Sequence, residues 1–136
     1  MISHILLDIE GTTCPVSFVT ETLFPYAKSE LKSFLDRQRN DPLIDQLIDN
    51  ADNEWIQDNS EDSTRLRHQL EKEQQAKHLK IEAYLQLLIE TDKKSTALKD
   101  IQGKIWKEGY TTGRISSEPF EDAHENLKRW HKQGYR

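Results

Sequence analysis

The stretch Ile5-Leu6-Leu7-Asp8-Ile9-Glu10-Gly11-Thr12-Thr13 constrains this chain more than any other. A short aliphatic run unbroken by charge suits a strand buried on both faces of a parallel sheet. Such sheets place their chemistry where strands give way to loops, and Asp8 stands at that exit. In an extended segment, residues two apart point to one side, so Asp8 and Glu10 are expected to address one small volume. An ionised Asp8 can hold a hard cation such as Mg²⁺ and can attack an electrophile through oxygen. Glu10 is then placed to protonate a leaving group and later to activate water. Gly11 permits a sharp turn, and the Thr12 and Thr13 hydroxyls with nearby N–H groups can orient a phosphate.

Asp8-Ile9-Glu10-Gly11-Thr12-Thr13 resembles the first motif of the haloacid dehalogenase superfamily of phosphatases, D-x-D-G-T, with Glu in place of the second Asp. With Pro15, Phe18-Val19 and Leu23-Phe24-Pro25-Tyr26, it is similar to the enolase-phosphatases of methionine salvage, also called acireductone synthases. Lys94 to Lys99, Ile101-Gln102-Gly103, Ile105-Trp106, Gly109-Tyr110 and Gly113 resemble the cap of that family; the likeness is loose between Asp36 and Glu82.

The resemblance implies an α/β fold: a truncated Rossmannoid core of one strand and one returning helix (1–16 and 116–136) around a large helical cap (17–115). It implies an Mg²⁺-dependent phosphatase that enolises and dephosphorylates 2,3-diketo-5-methylthiopentyl 1-phosphate. Asp8 is then nucleophile and metal ligand, and Glu10 is acid/base and a metal ligand through its backbone carbonyl. The complete enzyme is expected to be monomeric. The family's phosphate-gripping serine, later lysine and further acidic metal ligand have no matching positions, so the chain reads as an N-terminal fragment, inactive alone. Another phosphatase of the superfamily, or a noncatalytic helical interaction module, are the alternatives.

Bulk properties narrow the rest. A length of 136 residues fits one domain, and a net charge of −5 argues against a general nucleic-acid binder. Cys14 is the sole cysteine, which excludes an intrachain disulfide, and it reads as an inert small residue rather than a reactive thiol. The first apolar run is too short for a signal or a membrane span, so a cytoplasmic protein is expected.

Helical periodicity dominates from Ser17 onward. Phe18, Leu23, Leu31, Phe34 and Leu35 mark a buried face, with a break or kink at Pro25. Asn40 or Asp41 should cap the next helix, with Pro42 in its first turn and Leu43, Leu47, Ile48, Ala51 and Trp55 inward. Asp45, Asp49 and Asp52 read as a solvated face, since their spacing does not match a calcium loop. Thr64 to Lys80 reads as a mobile outer helix, then Leu79, Ala83, Tyr84, Leu87 and Leu88 as a buried stripe. Ser95 should cap a helix burying Ala97, Leu98, Ile101, Ile105 and Trp106. Lys93, Lys94 and Lys99 read as surface lysines, and His68, His78, His124 and His131 as scattered surface groups. Ser116-Ser117 should cap a last helix whose stripe is Phe120, Ala123, Leu127 and Trp130, ended by Gly134 before a new strand at Tyr135-Arg136.

Overall fold

The computed structural model describes residues 2–136. Helices α1 (Val16–Phe18), α2 (Phe24–Arg37), α3 (Pro42–Gln57), α4 (Glu61–Lys72), α5 (Lys77–Glu90), α6 (Thr96–Thr111) and α7 (Glu121–Lys132) follow in order, with a π-helical turn (Val19–Leu23) joining the first two. Among the described residues there is no strand, only an isolated bridge between Glu10 and Cys14. The expected strand at Ile5–Leu7 is therefore corrected. Leu6 is 98% exposed, because no neighbouring strand lies across it to bury its face.

The core lies in the middle of the chain. Helices α2 and α3 each pack on both α5 and α6, and α4 lies against α5. Leu31, Ile81, Leu85, Ile101 and Ile105 are the largest side chains fully withdrawn from solvent. The π turn has a physical cause. Pro25 has no N–H, and its ring would collide with the carbonyl four residues back in a straight helix. The preceding turn widens instead, and Phe24 N–H reaches the Val19 carbonyl, five residues back.

Capping follows composition in two places. The Asp41 side chain accepts from Leu43 N–H at 2.8 Å, and Ser95 Oγ accepts from Leu98 N–H at 3.0 Å. The inward face of α3 is shifted from expectation. Ile44, Ile48, Ala51 and Trp55 are buried, whereas Leu43 is 61% exposed, because a spacing of four, three and four selects Ile44. In α5 the buried set is Ile81, Tyr84, Leu85 and Leu88. Leu79, Ala83 and Leu87 are only half-buried on its flanks, since the helix packs against three neighbours at once.

The outer helix also differs. The chain reverses at Glu73–Ala76 and α4 stops at Lys72, with Gln74 in the left-handed region at φ 51°. Neither glycine nor proline marks this reversal. It lets Leu66 and Leu70 pack against the core instead of trailing in solvent.

Helix α7 begins at Glu121, so Ser116-Ser117 does not cap it. Phe120 occupies the N-cap position in extended geometry and spends its N–H on the Thr13 carbonyl at 2.8 Å. At the far end, Arg136 N–H donates to the Ser3 carbonyl at 3.1 Å, and Ile5 N–H donates to the Arg136 carbonyl at 2.8 Å. This exchange across His4 has the form of one parallel-strand rung. The helix thus runs back alongside the N-terminal segment and is tied to it at both ends. No α7 residue is buried: Ala123 and Trp130 are half-buried, and Phe120 and Leu127 are exposed.

Candidate functional site

The acidic loop is built around one carbonyl. The Ile9 carbonyl accepts from Thr12, Thr13 and Cys14 N–H at 3.3, 2.9 and 3.2 Å, and from Thr13 Oγ1 at 3.1 Å. Gly11 N–H donates to the Cys14 carbonyl at 2.8 Å. This tight coil requires φ +76° at Gly11, the left-handed region open to glycine, and a Cβ there would meet Val16 Cγ2 at 3.1 Å. Cys14 is buried beneath the loop, with its Sγ donating to the Ile9 carbonyl at 3.7 Å. That is a packing position rather than a reactive one.

Asp8 and Glu10 are both exposed at the mouth of this turn. One Asp8 oxygen, Oδ1, accepts from Ile9 N–H at 2.9 Å. Glu10 sits within the coil, so the strict alternation of an extended strand does not govern the pair. Thr13 spends its hydroxyl inside the turn, whereas Thr12 stays exposed. A cleft of about 300 Å³ opens beside the loop where the chain enters and leaves the bundle, lined by Pro15, Phe18, Glu21, Ser116 and Glu118 among others. Neither Asp8 nor Glu10 lines it. Sequence reasoning named Pro15, Phe18 and Ser116 for other reasons but did not join them into a site, because only the fold brings positions about 100 residues apart together.

Oxygen donors from Asp8 and Glu10 are hard ligands and suit Mg²⁺ in kind. Among the described residues, however, no group of three or more His, Cys, Asp and Glu converges as a metal site. Asp49 and Asp52 are bridged by Lys77 Nζ at 2.7 and 3.1 Å, so that part of the acidic face is neutralised by a cation of the chain itself. His68, His124 and His131 are exposed and His78 is half-buried.

The polar cluster with the strongest electrostatics lies in the bundle. Burial opposes the charge on Asp58, yet the backbone N–H and hydroxyl of Ser60 and the Lys93 ammonium outweigh it and hold the carboxyl at about 2. Burial first, and then the Asp58 charge, push the Tyr84 phenol up to about 12. Tyr84 stacks on Trp55 at 4.9 Å between ring centroids, and the Arg67 guanidinium lies over the Trp55 ring at 5.3 Å from its centroid. Glu54 accepts from Ser95 Oγ and from Ala97 N–H, fastening α3 to the start of α6. Lys93 is thereby committed to a structural pair with Asp58 at 3.3 Å. Lys94 and Lys99 are exposed.

No family model matches the chain. A solved structure of the UTR4 protein from Saccharomyces cerevisiae superposes with a TM-score of 0.64 at 29% identity, over 95% of this chain and 48% of that one. That neighbour places the fold with haloacid-dehalogenase-like proteins. Curated relatives give the particular kinship. Enolase-phosphatase E1 of Synechococcus sp. (strain CC9902) is 73% identical over 99% of this chain and 55% of its own length. The proteins of the same name from Parasynechococcus marenigrum (strain WH8102) and Aquifex aeolicus (strain VF5) are 50% and 34% identical. The chain is a homologue of enolase-phosphatase E1, and it spans about half the length of the curated relatives it matches.

Proposed function

We propose that this chain supplies the first acidic loop and the helical cap of an Mg²⁺-dependent enolase-phosphatase acting in methionine salvage in the cytoplasm. The observation that carries this reading is the 73% identity to a protein named enolase-phosphatase E1, extending through the Asp8–Thr13 turn. The substrate of the complete enzyme is 2,3-diketo-5-methylthiopentyl 1-phosphate, which is enolised and dephosphorylated to the acireductone. Residues 1–16 and 116–136 form the partial core and 17–115 the cap.

The chemistry assigned to this chain rests on two carboxylates. An Asp8 oxygen attacks phosphorus, the bond to the ester oxygen breaks, and the departing oxygen takes a proton from Glu10. Ionised Glu10 then removes a proton from water, which attacks the aspartyl-phosphate and frees both inorganic phosphate and Asp8. The Ile9 N–H bonded to Asp8 Oδ1 restrains the rotation of that carboxylate. Mg²⁺, held by Asp8 and the Glu10 carbonyl, would supply charge neutralisation at the phosphoryl oxygens. Closing the cap over the loop would exclude water from the first step.

Hydrolysis of phosphate monoesters owes nearly all its rate to positioned charge, and removing one such group costs about a hundred- to a thousandfold. The groups that the resemblance assigns to the rest of such an enzyme have no counterpart here, so the chain alone should show no useful turnover. Assaying Mg²⁺-dependent hydrolysis of an aryl phosphate tests that point, and robust turnover by the isolated chain would refute it. A chimera in which the chain replaces the aligned part of the Synechococcus relative tests the rest. It should prefer the diketo phosphate to sugar phosphates, and Asp8→Asn should abolish phosphate release without altering the fold. Surviving activity would show that Asp8 is not the nucleophile.

A further inference from the structure

The loop that carries Asp8 and Glu10 meets the bundle through two connectors, and one stretch of α6 grips both. The incoming connector is the helical path from α1 through the widened turn, and neither α1 nor that turn buries a residue. Its fastening comes where α2 begins. Trp106 Nε1 donates to the Leu23 carbonyl at 2.8 Å, and the indole meets the Phe24 ring edge-on at 5.8 Å between centroids. The returning connector is held three residues further along α6, at Gly109, on the same helix face. The Gly109 carbonyl accepts from Arg114 and Ile115 N–H at 2.9 and 3.3 Å, Ile115 is buried, and Arg114 pairs with Glu30 of α2 at 3.2 Å. Glycine there lets Tyr26 and Ile115 close over α6, since a Cβ would lie 2.7 Å from one and 2.9 Å from the other. Beyond this grip the connectors are joined at the loop itself, where Phe120 N–H donates to the Thr13 carbonyl at 2.8 Å.

Resting on the functional reading above, we infer that Trp106 is a positioning residue: its indole, through the Leu23 carbonyl, sets the direction in which the Asp8–Glu10 loop leaves the bundle. A π turn is a rare conformation, and this one has no buried side chain to hold it. The half-buried indole N–H needs an acceptor, and the bond it makes fixes the last carbonyl of the turn. Without that bond the exposed arm upstream is free to pivot at the start of α2. Attack by Asp8 on a phosphoryl group depends on alignment, and a misplacement of about 1 Å costs about a hundredfold. Trp106 acts through Leu23 and the turn rather than on the reacting atoms.

The test compares Trp106→Phe, which keeps an aromatic ring but removes the donor, with Ile105→Val, which trims a fully buried neighbour in the same helix. Residual dipolar couplings of the chain report the orientation of the Asp8–Thr13 N–H vectors in the frame of α2–α6. Trp106→Phe should change the loop couplings while those of α2–α6 stay at parent values. Ile105→Val should lower the melting temperature and leave the loop couplings unchanged. In the chimera with the Synechococcus relative, Trp106→Phe should lower kcat about tenfold to a hundredfold with KM within about twofold, whereas Ile105→Val should leave kcat at the parent value. Phe24→Ala, at an exposed ring, should shift the same couplings to a smaller extent, and it decides the matter if Trp106→Phe does not fold. Unchanged loop couplings, equal changes in Ile105→Val, or a parent-like kcat in Trp106→Phe would overturn the inference. A chimera inactive with Trp106 in place would refute the functional reading instead, and the couplings alone would then decide whether Trp106 orients the loop.

Discussion

Helices α5 and α7 are close in length, yet they occupy opposite environments. Helix α5 buries Ile81, Tyr84, Leu85 and Leu88 among α2, α3 and α4, whereas α7 buries nothing. By sequence alone, α7 is the cleaner amphipathic element, with acids in its first turn, bases in its last and one apolar stripe between them. A periodic stripe states that a face requires cover; only other segments of a polypeptide can provide it. In α5 those segments lie within the chain. In α7 no segment among the described residues buries that face.

The strongest way to break this contrast is to truncate one aromatic on each side. Trp55→Ala removes a buried indole that stacks on Tyr84 and donates to the Ser63 carbonyl at 3.3 Å, and should cost about 3–5 kcal/mol in urea unfolding. Trp130→Ala, at a half-buried site on α7, should change bundle stability by less than about 1 kcal/mol. Equal losses would erase the distinction. Two glycines of α6 sharpen it next. A Cβ at Gly109 would lie 2.7 Å from Tyr26 Cε1 and 2.9 Å from Ile115 Cγ1, so Gly109→Ala should destabilise by up to about 3 kcal/mol. Gly103 has open space around it, and Gly103→Ala should stabilise by up to about 1 kcal/mol through helix propensity.

Acidity probes the bundle's polar fastening. The Asp58 carboxyl is held at about 2 against 3.8 for the ordinary group, so its contribution is complete above 3.8 and fades as pH falls through 2. Chemical denaturation between pH 5 and pH 2 should therefore show a loss of roughly 2 kcal/mol that Asp58→Asn removes. The smallest expected effect is Gly11→Ala. It strains a positive-φ turn by roughly 1 kcal/mol, should leave bundle melting unchanged, and should disturb the Asp8 and Glu10 resonances in NMR spectra.

The bundle was legible where local chemistry decides. Asp41, Pro42 and Ser95 announce their helices, and Leu31, Phe34, Ile101 and Ile105 take the buried positions that periodicity assigns. It was illegible where packing chooses among neighbouring apolar residues, as with Ile44 over Leu43, or where a turn uses Gln74 in place of glycine. The Asp58–Lys93–Tyr84 cluster joins residues 26 to 35 positions apart, so spacing offered no signal. For the acidic loop, the Gly11 turn was readable from composition, but the convergence on the Ile9 carbonyl was not. The strand reading of Ile5–Leu7 failed because a run of aliphatic residues records a demand for neighbours without supplying them.

The helical path through the widened turn at Val19–Leu23 and into α2 fixes how the acidic loop faces the bundle. Such a turn behaves as an α-helix holding surplus length. Deleting one residue there would restore ordinary winding with the flanking segments near their present phase, whereas deleting one from the regular α2 would rotate everything upstream by about 100° with an advance of about 1.5 Å. Asp8 and Glu10 would then swing to a different side of the cleft mouth without any change in their own sequence. Orientation of this pair is therefore encoded by a count of residues in a segment that carries no reactive group.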